Sequence, residues 1–112
     1  MRRQLAQAQP NNTAASIFTP AVSGPYLIDL VNICNVSTGS VEVSLFHDTD
    51  GTTYTEATAL VWKHSLLPGE ILCYSPDNGI SGYQAAGNLG GKCDVTDGAT
   101  FTVYGEIEGE QL

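Results

Sequence analysis

Apolar and polar side chains alternate most cleanly over Ala99-Thr-Phe-Thr-Val-Tyr-Gly-Glu-Ile-Glu108. Phe101, Val103 and Ile107 fall on one face, with Gly105 between the last two, and Thr100, Thr102, Tyr104, Glu106 and Glu108 fall on the other. A strict period of two in β-branched and aromatic residues predicts a half-buried antiparallel strand. Upstream, Tyr26-Leu-Ile-Asp-Leu-Val-Asn-Ile-Cys34 is nearly continuous in apolar residues, the pattern of a central strand covered on both faces or of a strand at a subunit contact. Asp29 interrupts that run. It must be exposed, hydrogen-bonded or paired across an interface, because an unpaired buried charge is very costly. Alternation returns in Val41-Glu-Val-Ser-Leu-Phe-His47, with Val41, Val43 and Leu45 inward.

Shorter runs fill in the rest. Ala15-Ser-Ile-Phe-Thr19 reads as a strand stopped by Pro20, and Ser23-Gly24-Pro25 as a turn. Asp48-Thr-Asp-Gly-Thr-Thr53 is the strongest turn signal, and Tyr54–Thr58 suits a short edge piece. Ala59–Leu67 predicts a strand carrying Trp62, ended by Pro68-Gly69, and Glu70–Tyr74 another, stopped by Ser75-Pro76-Asp77-Asn78-Gly79. Between Ile80 and Gly98, glycines crowd the chain, and the expectation is a long loop or two short strands, over Gly82–Ala85 and Lys92–Val95. No segment shows a period of 3.6. Strands every 8 to 15 residues or so with turn signals between them predict an all-β fold: a single β-sandwich or jelly-roll-like domain. The domain is expected to span residues 15–112. Residues 1–14 are too polar to fold alone and form an extended N-terminal arm, either a disordered tail or a segment that orders on a partner. Arg2, Arg3 and Leu5 favour the second, offering a positive end and one apolar anchor.

Length and charge narrow the function. The 112 residues make one domain with one core. Charged residues are only 14% of the chain, so hydroxyls and amides do much of the solvating. The formal charge is −8. Past residue 14 only Lys63 and Lys92 stand against all twelve carboxylates, a formal −10 on the body. Such a body repels phosphate backbones and anionic membrane surfaces, so neither nucleic acid nor membrane is an expected partner. No run approaches the roughly 18 apolar residues of a membrane span, and Met1–Gln7 lacks the apolar core of a signal peptide. Cys34, Cys73 and Cys93 are widely spaced, with no Cys-x-x-Cys pair, and are expected as buried free thiols.

Asp48-x-Asp50-Gly51 suggests calcium, but an EF-hand would want Gly at position 53 and Glu at position 59, where Thr53 and Ala59 stand. His47 and His64 lack further ligands at characteristic spacing apart from the turn acids beside His47. Gly79-Ile80-Ser81-Gly82 is not a nucleophile elbow, and the glycine-rich stretch has no Gly-Lys-Ser/Thr ending to cradle phosphate. Glu106 and Glu108 sit about 6 to 7 Å apart on one strand face, a spacing that suits a solvated acidic edge as well as glycoside cleavage. No catalytic residue, metal ligand or cofactor is therefore expected, and the chain reads as a non-enzyme. Phe18, Phe101 and Trp62 suit a core. The amphipathic tyrosines Tyr26, Tyr54, Tyr83 and Tyr104 are candidate partner-binding surface, and Tyr74 is of the same kind.

Several stretches in order carry a resemblance: Leu5-Ala-Gln-Ala-Gln-Pro10, Ala15-Ser-Ile-Phe-Thr-Pro20, Ile33-Cys-Asn-Val36 leading into Val41-Glu-Val-Ser-Leu45, Leu66-Leu-Pro-Gly-Glu70, and Phe101-Thr-Val-Tyr-Gly-Glu106. This succession resembles small virion proteins of tailed bacteriophages, in which a Leu-Ala-Gln-type arm precedes a β-sandwich ending in an aromatic-Gly-Glu strand. The resemblance implies a structural protein located in the virion, a capsid decoration or cement protein. It would form a homo-oligomer, a trimer, and bridge subunits of the major capsid protein. A tail, neck or fibre component is the alternative within that class. A carbohydrate-binding module is the alternative outside it, and exposure of Trp62 separates the two.

Overall fold

The computed structural model describes residues 3–18, 26–47, 54–75, 79–82 and 89–107. Among the described residues, nine strands follow in order: β1 (Arg3–Ala8), β2 (Ala15–Phe18), β3 (Tyr26–Asn35), β4 (Val41–His47), β5 (Ala59–Leu66), β6 (Ile71–Tyr74), β7 (Ile80–Gly82), β8 (Leu89–Cys93) and β9 (Ala99–Ile107). They form two antiparallel sheets. One runs β1-β9-β3-β6 with β7 also paired to β3, and the other runs β2-β8-β4-β5. The protein is an all-β sandwich.

The strand with the cleanest alternation is a central one. β9 pairs with β3 from Tyr26↔Ile107 to Asn35↔Ala99, and Phe101 and Val103 are fully buried. Facing them across the core are Val41, Val43 and Leu45 of β4, with Leu66, Leu89 and Cys93 from the flanking strands. Burying each such Val, Leu, Ile or Phe side chain is worth roughly 1.5–3 kcal/mol. On β3 the register shifts between Ile28 and Leu30. The extra residue, Asp29, resets the period so that Ile28 and Val31, three apart, both point inward. Asp29 is thereby left half-buried in a bulge, and its backbone carbonyl accepts the Ser75 hydroxyl at 3.1 Å. Opposite this kink, any Cβ on Gly105 would run into the Leu27 carbonyl oxygen. That close approach of two backbones is why glycine stands there.

The reading of residues 1–14 as an arm apart from the sandwich is corrected. Arg3–Ala8 is an edge strand, antiparallel to β9, with Ala8 opposite Phe101 and Arg3 opposite Gly105. Leu5, Ala6 and Ala8 pack on the chain's own core, and Gln7 Nε2 donates to Thr102 Oγ1 at 3.1 Å. The free edge of β9 supplies backbone hydrogen bonds that a polar, Ala-containing segment could not replace with apolar burial. Residues 9–14 then cross to the second sheet, where the Asn11 carbonyl accepts the Cys93 N–H at 3.0 Å.

Two other boundaries moved. The edge piece expected at 54–58 is a 3₁₀ turn over Glu56–Thr58, capped by Thr55, whose hydroxyl accepts the Ala57 N–H. The strand expected at 92–95 lies at Leu89–Cys93, while residues 83–85 of the strand expected at 82–85 lie outside the described residues. The turns at 23–25 and 48–53, Tyr83, Glu108 and Arg2 lie outside the described residues, as does the side chain of Ile107.

One end of the sandwich is held by a single amide. Asn35, only 1% exposed, donates from Nδ2 to the carbonyls of Gly39 and Leu66 at 2.9 and 3.0 Å. Its Oδ1 accepts the N–H and the hydroxyl of Ser37, both at 2.9 Å. Its backbone N–H donates to the Glu70 carbonyl and its carbonyl accepts the Gly69 N–H. Replacing this side chain strands the buried Leu66 carbonyl. Asn35→Ala is expected to cost on the order of 3 kcal/mol, measured as a lowered denaturant midpoint with an unchanged slope. A loss below about 0.5 kcal/mol would show that the loops hold themselves.

Candidate functional site

The residues expected to meet a partner are dispersed. Tyr26 leaves the surface altogether. It is 2% exposed, packs edge-on against Phe18 at 5.6 Å, and its hydroxyl lies 3.0 Å from His47 Nε2 in a hydrogen bond. This is a correction with a simple cause, since Tyr26 opens β3 on the inward phase and His47 offers its hydroxyl a partner. Tyr54 is half-buried against Phe46, ring centroids 6.0 Å apart. Tyr104 is half-buried on the outer face of the first sheet, and both it and Arg3 already interact within the chain. Leu5 packs inward. Among the described residues, no single site gathers all of these candidates.

The cysteines also divide. Cys93 is buried, Cys34 half-buried and Cys73 exposed, all three free, so the expectation of three buried thiols is corrected at Cys34 and Cys73. Both lie on the outer face of the first sheet, where Asn32 Oδ1 accepts from Cys73 Sγ at 3.7 Å. Among the described residues no three His, Cys, Asp or Glu side chains are grouped to hold a metal ion.

Two surfaces stand out instead. The first is the end braced by Asn35. Its loops expose Val36 at 52%, Leu67 at 62% and Val95 at 39%, and Ile71 at 55% begins β6 beside them. The loops are cross-linked: Val36 N–H donates to the Gly98 carbonyl, and Gly98 N–H to the Val95 carbonyl. Glu70 and Asp97 are exposed on the same loops as these apolar groups, and Glu70 Oε1 accepts the Leu67 N–H at 3.0 Å. The result is an ordered tip, apolar with an acidic rim.

The second lies on the outer face of the β2-β8-β4-β5 sheet. Trp62, expected in the core, is 44% exposed. The cause is a bulge in β5, where Val61 pairs with Leu45 and His64 with Val43, so that Trp62 and Lys63 together oppose Ser44. Lys63 takes a left-handed φ of 49°, and its N–H donates to the buried Ser44 Oγ at 3.0 Å. Trp62 then stands edge-on to Phe46 at 6.2 Å, and the Lys63 ammonium lies 5.3 Å from the indole centroid. Phe46, almost fully buried on this outward face, is roofed by Trp62 and Tyr54. A Cβ at Gly90 would meet the Tyr54 ring at 2.6 Å, so glycine lets the roof close. Beside Trp62 runs a groove of about 200 Å³ lined by Glu42, Ser44, Lys63, Lys92 and Asp94. Asp94 is fixed at its end by accepting the Glu42 N–H at 2.9 Å.

A scan against protein-family models finds no match for this chain, and a search of curated proteins finds none.

Burial pushes the Tyr26 hydroxyl up from the ordinary tyrosine value to about 12. The fold favours the neutral phenol, so its stabilising share is complete below about pH 10, where the unfolded chain's tyrosine begins to ionise, and is lost as pH climbs through 12. Spectroscopic titration of tyrosinate should show one tyrosine ionising late, together with unfolding. Tyr26→Phe should remove that late step and cost about 1 kcal/mol at neutral pH through the lost bond to His47. A full tyrosine titration centred near pH 10 in the folded protein would contradict the burial assignment.

Proposed function

We propose that this protein is a structural component of a tailed-phage virion that decorates the capsid as a homotrimer and contacts the major capsid protein through its Asn35-braced tip. The order of sequence motifs supports the class. The tip carries the docking assignment: Val36, Leu67 and Val95 are exposed on loops tied by hydrogen bonds, with Ile71 exposed at the start of β6, so little ordering entropy is lost on contact. An acidic rim of Glu70 and Asp97 would suit a shell surface that presents basic residues around an apolar depression. No enzymatic step is assigned. The trimer places three tips on one local axis, and a closed cyclic arrangement limits the assembly.

The triple variant Val36→Ser, Leu67→Ser, Ile71→Thr alters exposed side chains only, so its melting temperature should stay within about 4 °C of the parent. Its binding to undecorated particles should weaken at least about tenfold. Binding at parental affinity would overturn the docking assignment. Imaging of the particle tests the class: copies on the order of hundreds on the shell support decoration, and tens or fewer on the tail would move the protein to the alternative location.

A further inference from the structure

We propose that the groove beside Trp62 is a saccharide-binding subsite that takes a neutral pyranose ring, a function separate from docking at the tip. The composition of the groove is the first observation. The only tryptophan and both lysines of a strongly acidic chain line this one depression, with Glu42 and Asp94 at its end. Its volume of about 200 Å³ is below the roughly 300–1,000 Å³ of drug-sized pockets. That size suits one sugar ring rather than a multi-ring cofactor.

The chemistry selects the ligand. The exposed indole presents a partly negative face to which the polarised C–H groups of a pyranose are drawn. Two ammonium groups donate and two carboxylates accept, so hydroxyls, which do both, can be satisfied all round the ring. The rim is charge-balanced within a body of formal charge −10, which disfavours polyanions such as nucleic acid. A wholly apolar ligand would leave the four charged groups unused and partly desolvated. The Lys63 ammonium, 5.3 Å from the indole centroid, exchanges a cation–π contact of about 0.5–1 kcal/mol for a hydrogen bond to a ring hydroxyl.

The groove is also built rather than incidental. An unbulged β5 would send Trp62 and Lys63 to opposite faces. The extra residue puts both beside Ser44, at the cost of a left-handed lysine. Ser44 Oγ, buried and bonded to the Lys63 N–H, holds that bulge. It acts as a positioning residue for the indole.

Because Trp62 is the only tryptophan, its emission reports the groove directly. The full chain is titrated with glucose, mannose, galactose, N-acetylglucosamine and galacturonate up to about 100 mM, where even a millimolar site saturates, and with cellopentaose and maltopentaose. The expected result is a saturable emission change with at least one neutral sugar and reduced acrylamide quenching in its presence. By saturation-transfer NMR, Trp62→Ala should lower that affinity at least about tenfold and Lys92→Met about threefold, with melting temperature unchanged in the lysine variant. No saturable change with any neutral sugar overturns the proposal. So does affinity retained in Trp62→Ala, or a preference for galacturonate over galactose. The triple tip variant should bind the sugar as the parent does, and a loss there would show that the two surfaces are not separate.

Discussion

The antiparallel ladder between β3 and β9 is the constraint on which the rest of this sandwich depends. It spans both strands from Tyr26↔Ile107 to Asn35↔Ala99 and sets the phase of every inward side chain in its sheet. Its one irregularity, the Asp29 bulge facing Gly105, is compulsory: without an extra residue, Ile28 and Val31 could not both reach the core. β1 then has only the outer edge of β9 to occupy, and β6 and β7 share the outer edge of β3. At the end of the ladder, Asn35 converts strand pairing into loop order by bonding to the Leu66, Gly39 and Ser37 groups around it. The tip is therefore an extension of the ladder.

Function on such a scaffold falls to faces and ends. The β5 and β1 edges are poor templates for further strands, since β5 is twice shifted in register and includes a left-handed residue, and β1 is shifted at Leu5. The braced tip holds apolar side chains out, and on the outer sheet face the β5 bulge turns an indole outward. The two surfaces rest on different supports, the Asn35 side chain and the Ser44-bonded bulge, and share the loop after β8, which carries both Val95 and Asp94.

Periodicity made the backbone of this fold legible and left its coverings obscure. Val41–His47 and Ala99–Ile107 announce themselves because every second residue is large and apolar. β1 does not, because its inward positions include Ala6 and Ala8, whose burial is too small to register as a pattern, while its stability comes from the edge of β9. Tyr26 and Trp62 exchanged their expected places for related reasons. A tyrosine hydroxyl can be buried when a histidine waits for it, and a bulge can turn a tryptophan out, and both depend on tertiary neighbours 21 and 19 residues away. The glycine-rich stretch before the last strand resembles a loop in sequence. Gly90 serves a strand there because the Tyr54 ring lies on top of it. The groove residues, drawn from β4, β5 and β8 and the loop after β8, share no spacing that a linear reading could detect.

The position of β1 has a temporal side. Gln7 and Thr102, which bond across the β1–β9 pair, are 95 residues apart in sequence. At a synthesis rate of roughly 5–20 residues per second, the first strand therefore waits on the order of 5–20 s for its partner to be made. During that interval the segment beginning Arg-Gln-Leu is a polar strand without the β9 edge it will pair with. A strand made late thus decides the fate of one made early, and the sheet is finished by a pairing across 95 residues of chain.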